Sequence, residues 1–314
     1  MLSTRHAKRG SALLMLALST SACRAEITRP EVDPWTDPVF DDSGDVIAFE
    51  SQRDGNREIY LMSADGSDGI NLTNHSADDG DPGWSPDGTK ILFASTRDGN
   101  TEIYVMNADG SNVTRLTNDA GIDRFPTWSP DGSRIAFATD RDGNSEIYLM
   151  DPDGGNLLRL TDDPGQDSEP AWASAGSRIV FYSDRAGNGD IWGMHPDGTG
   201  LVNLTDDPGF DSAPGSVIDL SGAAERIAFV SDRAGSNLDI YTMNADGSSV
   251  VRVTTEPADD FDSSWAGAGS LLIFDSNRAG NWDIYSIEAA GTNTVRLTAH
   301  AADDESPVWR PALP

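Results

Sequence analysis

The segment from Asp140 to Glu146, DRDGNSE, has the residue types of a calcium loop: alternating carboxylates around a glycine turn supply hard oxygen donors. Related segments later in the chain read SDRAGNGD, SDRAGSNLD and SNRAGNWD, so the second Asp is replaced by Ala while Arg and Gly remain. That change removes a cation ligand and keeps a repelling guanidinium, whereas a tight turn tolerates it. We therefore interpret these segments as turns of a scaffold and expect no metal or cofactor.

Another carboxylate recurs three residues before the position where each repeating unit opens with Pro, or with Ser263 in one unit. A turn arginine follows it after 18 residues, or after 22 where the unit of Arg233 carries an insertion near Gly222. We predict that these groups meet on one face, either as ion pairs that tie each unit together or as a ring that binds a ligand. The aspartates are Asp79, Asp123, Asp167, Asp211, Asp260 and Asp304, and the arginines are Arg53, Arg97, Arg141, Arg185, Arg233 and Arg278.

Other groups that could perform catalysis are scarce. His75, His195 and His300 form no H-x-x-x-H metal pair, and the chain has neither a G-x-S-x-G elbow nor a glycine-rich phosphate loop. The serines of the WSPDG segments lie in turns with no general base nearby in sequence. We therefore predict no catalytic residues and a protein that is not an enzyme.

The elements that position these residues repeat with a period of 44 residues, lengthened once to 49. Each unit contains four short runs in which Ile, Phe, Tyr and Val alternate with polar or small residues, separated by Asp-Gly, Gly-Asn or Pro turns. Six such units predict an all-β fold, a six-bladed β-propeller of four-stranded antiparallel blades, and an open solenoid is the alternative. Equivalent aromatic residues mark the units: Tyr60, Tyr104, Tyr148, Trp192, Tyr241 and Tyr285.

The units carry a specific resemblance. PGWSPDGTKILFASTRDGNTEIYVMNADGSNVTRLT and PTWSPDGSRIAFATDRDGNSEIYLMDPDGGNLLRLT resemble the WD40-like repeat of the TolB propeller family, in which P-x-W-S-P-D-G opens a blade. The resemblance covers about residues 37 to 310 and implies a propeller with a role in the bacterial cell envelope. We expect this chain to lack the N-terminal α/β domain that TolB has before its propeller.

The first residues have the pattern of an export signal, with Arg5, Lys8 and Arg9 ahead of an apolar run and small residues after it. Cys23 is the only cysteine and follows Thr20, Ser21 and Ala22, which resembles a lipobox. We predict a lipoprotein signal peptide over residues 1–22, lipidation of Cys23, a linker over 23–36 and the propeller over 37–314. Ordinary signal cleavage nearby is the alternative.

The formal net charge of −30 would repel phosphate backbones and anionic lipid surfaces. We therefore predict no nucleic-acid partner, and membrane association only through the lipid anchor, in the periplasm or at the cell surface. The acidic surface is also compatible with a high-salt habitat. The function we expect is a monomeric module that binds a protein or an envelope polymer, a basic or metal-bridged one fitting best. The alternative is a propeller enzyme, a sugar lyase or lactonase, with a metal in its central channel.

The two chain ends compete to complete the first blade. Eighteen residues before Arg53 stands Trp35, so the first unit lacks its own Asp, whereas DDESPVWRP near the C-terminus supplies Asp304 and an opening strand with nothing after it. We predict that residues 306–310 fill this position and close the ring. Residues 37–40, DPVF, are the competing segment.

Overall fold

The computed structural model describes residues 45–173, 176–215, 225–235 and 237–311, which form short strands and one 3₁₀ helix, Gly267–Gly269. The first half contains β1 (Val46–Ser51), β2 (Glu58–Ser63), β3 (Ile70–Asn71), β4 (Asp79–Trp84), β5 (Lys90–Ser95), β6 (Glu102–Asn107), β7 (Thr114–Arg115), β8 (Asp123–Trp128), β9 (Ile135–Thr139), β10 (Glu146–Met150), β11 (Leu158–Arg159) and β12 (Asp167–Trp172). The second half contains β13 (Ile179–Ser183), β14 (Asp190–Met194), β15 (Val202–Asn203), β16 (Asp211–Ser212), β17 (Arg226–Ser231), β18 (Asp239–Asn244), β19 (Val251–Arg252), β20 (Asp260–Ala266), β21 (Leu271–Ser276), β22 (Asp283–Glu288), β23 (Val295–Arg296) and β24 (Asp304–Trp309).

These strands form six antiparallel sheets of four strands, so the predicted six-bladed propeller is confirmed. Blades 2 to 6 each use four consecutive strands, β4 to β7 in blade 2 and β20 to β23 in blade 6. Blade 1 has the order β24, β1, β2, β3. In every blade the first strand of this order lines the centre and the fourth lies at the rim.

The C-terminal strand closes the ring, as predicted. It pairs with β1 in antiparallel register, with Ile47 opposite Trp309 and Ser51 opposite Asp304. The competing segment, residues 37–40, lies outside the described residues, and the position proposed for it is filled by β24. The chain therefore joins its last described strand to its first described hairpin, and β1 is paired on both sides.

The hydrophobic core lies between adjacent blades. Both faces of the two middle strands are buried, because alternate side chains point to the blade before and the blade after. The repeated Phe of the second strand is opposite the repeated aromatic residue of the third strand in every blade, as with Phe93 and Tyr104. All six of these phenylalanines are fully buried. The periodic aromatic residues of the sequence are thus the packing units between blades.

The outermost strand of every blade has only two residues, so each blade presents a very short free edge at the rim. The hairpin between the middle strands turns at the RDG or RAG segments, where glycine is needed because the backbone is left-handed; φ is +118° at Gly99 and +105° at Gly187. The sequence substitution of Asp by Ala beside this glycine leaves the turn unchanged.

Several predicted features lie outside the described residues: the signal peptide over 1–22, Cys23, the linker over 23–36, the first residues of the predicted propeller and the insertion near Gly222. Within the described part of the chain, no helix has the length and apolar character needed to cross a membrane.

Candidate functional site

The recurrent aspartates and arginines meet in all six blades. Each Asp begins the inner strand, and each Arg lies in the turn between the two middle strands at the same end of the blade. The side chains join at 2.9 Å in Asp79–Arg97, 3.1 Å in Asp123–Arg141, 2.7 Å in Asp211–Arg233, 2.8 Å in Asp260–Arg278 and 2.8 Å in Asp304–Arg53, and Asp167 pairs with Arg185 in the same way.

These ion pairs are enclosed. All six aspartates have no exposed side-chain surface, and each guanidinium lies over two aromatic rings of its blade, as Arg97 does over Phe93 at 5.0 Å and Tyr104 at 4.9 Å. The Nε of Arg97 donates a hydrogen bond to Ser95 Oγ at 2.9 Å. Burial raises the pKa of Asp123 even beside its arginine. A group enclosed in this way is suited to holding a blade together, and we propose that role for the ring.

A second buried acid in each blade was missed by the sequence analysis. It begins the third strand, is at most 3% exposed, and faces the loop that leaves the outer strand; in blade 2, Glu102 accepts hydrogen bonds from Arg115 at 2.6 Å and Thr117 at 2.7 Å. The signal was available, because these acids and the repeated threonines keep the period of the aromatic residues. The set comprises Glu58, Glu102, Glu146, Asp190, Asp239 and Asp283.

The calcium-like segment is a turn whose carboxylates are occupied by protein donors. Asp140 accepts the N–H of Ile122 at 2.6 Å, Asp142 accepts the hydroxyl of Tyr148, and Glu146 pairs with Arg159 at 3.0 Å. Among the described residues, no group of three or more His, Cys, Asp or Glu lies close enough to hold a metal ion.

The three histidines contribute to turns; Nδ1 of His75 and of His300 accepts the N–H two residues later at 3.1 Å.

The central channel is lined by the inner strands. In five blades the pairing of the inner strand with the second strand shifts register beside its third residue, whereas in blade 5 β16 ends at Ser212 and Ala213 follows it. The residue two positions after the buried Asp is not glycine in any blade, yet its φ is between +40° and +54° in all six. Left-handed backbone is costly for such residues and is often found at functional sites. We call these residues the channel ring: Asp81, Phe125, Glu169, Ala213, Asp262 and Ser306.

Three members of the channel ring are carboxylates, and they belong to alternate blades. One oxygen of each accepts a hydrogen bond from the next blade: Asp81 from the N–H of Phe125 at 3.2 Å, Glu169 from the N–H of Ala213 at 2.7 Å, and Asp262 from the hydroxyl of Ser306 at 2.9 Å. Behind them, Glu50 accepts the N–H of Asp81 at 2.7 Å. These bonds link neighbouring blades around the channel.

Burial in the channel wall raises the pKa of these acids. The pKa of Glu50 is raised to about 8 by burial, with the charge of Asp81 adding to the effect. For Glu169 burial raises the pKa to about 7, and for Asp262 to about 6. Arg57 moderates the effect on Glu50 and Asp262, since its cation favours their charged forms. The channel therefore contains acids that change protonation near neutral pH.

The channel ring forms one end of a cavity of about 450 Å³. The cavity extends along the inner strands to Pro86, Pro130 and Pro311, at the turns that follow them, and its walls are mostly tryptophan and proline side chains. It therefore combines apolar walls with an acidic end. This cavity was not evident from the sequence, because its ring positions hold five residue types rather than one repeated residue.

The end of the propeller that carries the ion pairs also carries the loops between blades, residues 72–78, 116–122, 160–166, 204–210, 253–259 and 297–303; we call it the loop face. Asp78, Asp206 and Glu256 are exposed there. Two large apolar side chains on these loops are also exposed, Ile122 at 45% and Phe210 at 38%. The loop face thus joins negative charge to exposed apolar surface.

A family model described as "TolB beta propeller domain" matches residues 4–123, 116–219 and 204–312. Among curated proteins, no sequence matches the chain.

Among solved structures, TolB from Acinetobacter baumannii is similar with a TM-score of 0.76 and 23% identity, over 86% of this chain and 67% of that one. A putative TolB from Agrobacterium tumefaciens is similar with a TM-score of 0.65 and 23% identity, over 81% and 88%. The tricorn protease is similar with a TM-score of 0.61 and 17% identity, over 80% of this chain but only 26% of that one. At these identities the likeness to solved structures concerns the fold alone.

Proposed function

The chain belongs to the TolB β-propeller family, and from this premise we propose that it is an exported, lipid-anchored module that binds a protein or polymer of the cell envelope and performs no chemistry on it. The observation that supports this best is the loop face. It carries exposed acids and the exposed side chains of Ile122 and Phe210, and a surface that combines exposed apolar and charged side chains is typical of protein-binding surfaces.

The charge of this face favours a basic partner. Asp78, Asp206 and Glu256 are exposed and are separate from the six buried ion pairs, so they are available for charges on a partner. Opposite charge raises the association rate and discriminates against wrong partners, while the apolar side chains contribute most of the affinity. The partner we propose therefore has a basic surface with an apolar patch.

The proposed location rests on the sequence of the first residues. A basic stretch, an apolar run and small residues precede Cys23, the single cysteine, and acylation there would tether the propeller to a membrane that its net charge would otherwise repel. A single acyl chain binds membranes only weakly, so stable anchoring requires more than one chain on this cysteine.

The loop face is tested by capture from envelope extracts with tagged protein. The double variant Ile122→Ser, Phe210→Ser should lose a basic protein or polymer that the wild type retains, because it removes the apolar contacts. Val295→Ser is the matched control, since Val295 is 53% exposed at the rim in β23. Equal capture by the loop-face variant and the wild type would remove the loop face from the proposal.

The anchor is tested by fractionation. Wild-type protein should sediment with membranes and carry acyl chains by mass spectrometry, and Cys23→Ala should move to the soluble fraction. A wild-type protein that is soluble and free of lipid would contradict the anchor without affecting the loop face.

A further inference from the structure

The channel cavity has features that the loop face does not explain. Its acidic end is formed by Asp81, Glu169 and Asp262 on alternate blades, two residues along the inner strands from the ion pairs, and the cavity extends from there away from the loop face. Each of these carboxylates uses one oxygen to accept a hydrogen bond from the next blade. The described residues donate no hydrogen bond to the second oxygen, and all three side chains are half-buried at the cavity wall.

Ser263 adds an independent observation. It lines the cavity directly after Asp262, at the position that the other five blades fill with proline, as Pro82 and Pro307 do. Ser263 is only 5% exposed, and its Oγ has no hydrogen-bond partner in the described part of the chain. A buried hydroxyl without a partner is costly, and a ligand in the cavity would satisfy it.

The shape and chemistry of the cavity select the ligand class. A bare metal ion needs several ligands that converge within bonding distance. Among the described residues, no three or more Asp, Glu, His or Cys side chains are grouped closely enough to hold one. The walls, with Phe125, Trp84 and Trp172, suit a hydrocarbon body and the π-faces that attract organic cations. The volume of about 450 Å³ is in the range of small-molecule sites.

We propose that the channel binds an organic ammonium compound, whose cationic nitrogen atoms contact Asp81, Glu169 and Asp262, whose hydrogen-bonding groups reach Ser263 Oγ, and whose hydrocarbon lies against the tryptophan and proline walls. The neighbouring cations Arg57 and Arg124 lie on the loop-face side and leave the acidic end incompletely neutralised. The raised pKa of Glu169 is consistent with a carboxylate that lacks a cation beside it. This site goes beyond the proposed function, because it lies inside the channel and not on the loop face.

The test is titration calorimetry on the mature chain at pH 8, with 1,5-diaminopentane and spermidine as probes and 1,5-pentanediol as the neutral isostere of the diamine. We expect at least one amine to bind and the diol not to bind. Glu169→Gln and Asp262→Asn should each weaken amine binding about 10-fold or more, since each removes one charged hydrogen bond. Glu256→Gln, on the exposed loop face, is the control and should bind like wild type.

Ser263→Pro introduces the proline that the other five blades have at this position, so this variant should fold. It should still bind the amine measurably more weakly than the wild type does, because it lacks the hydroxyl. Thermal melting of every variant identifies any loss of fold. Three outcomes would each overturn the proposal. In the first, neither amine binds better than the diol, and in the second, Glu169→Gln and Glu256→Gln have equal affinity for the amine. In the third outcome, calcium binds in a way that depends on these carboxylates while the amines do not bind. The Ile122→Ser, Phe210→Ser variant should bind the amine like wild type even if it loses the envelope partner, so the two proposals are tested separately.

Discussion

The ion-pair ring and the channel ring occupy the same inner strands, two residues apart, and follow opposite rules. Asp79 and its five equivalents are identical, buried and paired with arginine. Two residues later the chain places Asp81, then Phe, Glu, Ala, Asp and Ser in the successive blades. Positions that every blade needs for its own folding are constant, whereas positions that face a shared channel are free to differ. The variation is therefore where binding specificity can be encoded.

The largest effect on stability is expected when one blade loses its member of the ion-pair ring and its member of the channel ring together. Deleting residues 303–314 removes β24, which carries Asp304 and Ser306, so blade 1 loses its inner strand and Arg53 its partner. We expect loss of the cooperative melting transition. Deleting residues 26–41 should leave melting nearly unchanged, because β24 fills the inner position. A C-terminal deletion that melts like the full-length protein would refute this closure.

An intermediate effect is expected within the ion-pair ring. Asp79→Ala or Arg97→Ala should each lower the free energy of unfolding by about 1 to 3 kcal/mol, because the partner stays buried and unpaired, and the double variant should cost less than the sum. Asp262→Asn in the channel ring should cost less than either, since it removes a charge from a group of like charges. Urea unfolding measures all four. Strict additivity of the Asp79 and Arg97 effects would remove the ion pair from the account.

The acids of the channel ring, together with Glu50 behind them, should also make stability depend on pH. The pKa of Glu50 is raised by burial from 4.5 to about 8 and that of Glu169 to about 7, so the folded state holds these protons more tightly than the unfolded state. Their stabilisation is complete below the unfolded pKa and is lost as pH rises through about 8. The melting temperature should fall by several degrees between pH 5.5 and pH 8.5.

The control for this pH dependence is a pair of variants. Glu50→Gln should flatten the curve, because the amide cannot ionise, whereas Glu256→Gln, an exposed loop-face acid, should leave it as in wild type. A melting temperature that rises with pH over this window would contradict the assignment of raised pKa values to the channel.

The smallest effect is expected in the hairpin turns. Asp98 accepts the hydroxyl of Tyr104, but its side chain is half exposed and blades 4 to 6 carry Ala at this position. Asp98→Ala should change the free energy of unfolding by less than about 1 kcal/mol. Calcium should not change the melting temperature of either protein. Calcium-dependent stabilisation that disappears in the variant would restore the cation interpretation of these turns.

The sequence was sufficient to predict the fold, the closing strand and all six Asp–Arg contacts, because each depends on a residue type that repeats with the blade. Asp304 could be assigned to Arg53 because Trp35, and not Asp, stands eighteen residues before Arg53, while Asp304 stands three residues before Pro307 as the other aspartates stand before their Pro or Ser. The buried acids such as Glu102 were equally periodic and could have been found from their constant distance to Thr117.

The channel ring could not be predicted in the same way. Its positions share a left-handed backbone, but the proline that follows five of them in the sequence does not predict that conformation. Their side chains also differ from blade to blade. The proximity of Asp81, Glu169 and Asp262 is produced by ring closure, which brings together residues far apart in the sequence. The single departure from the proline pattern, Ser263, was visible in the sequence, but its unpartnered hydroxyl was not.

In this account the constant ion pairs hold the propeller together while its loop face binds the partner. Cross-linking with a carbodiimide, which joins carboxylates to amines, on protein in its native envelope tests this most directly. Partner peptides should attach to loop-face acids such as Asp78, Asp206 and Glu256, and the Ile122→Ser, Phe210→Ser variant should lose them. Partner peptides attached only at the rim or at the turns beyond the channel cavity, and unchanged in that variant, would contradict the account.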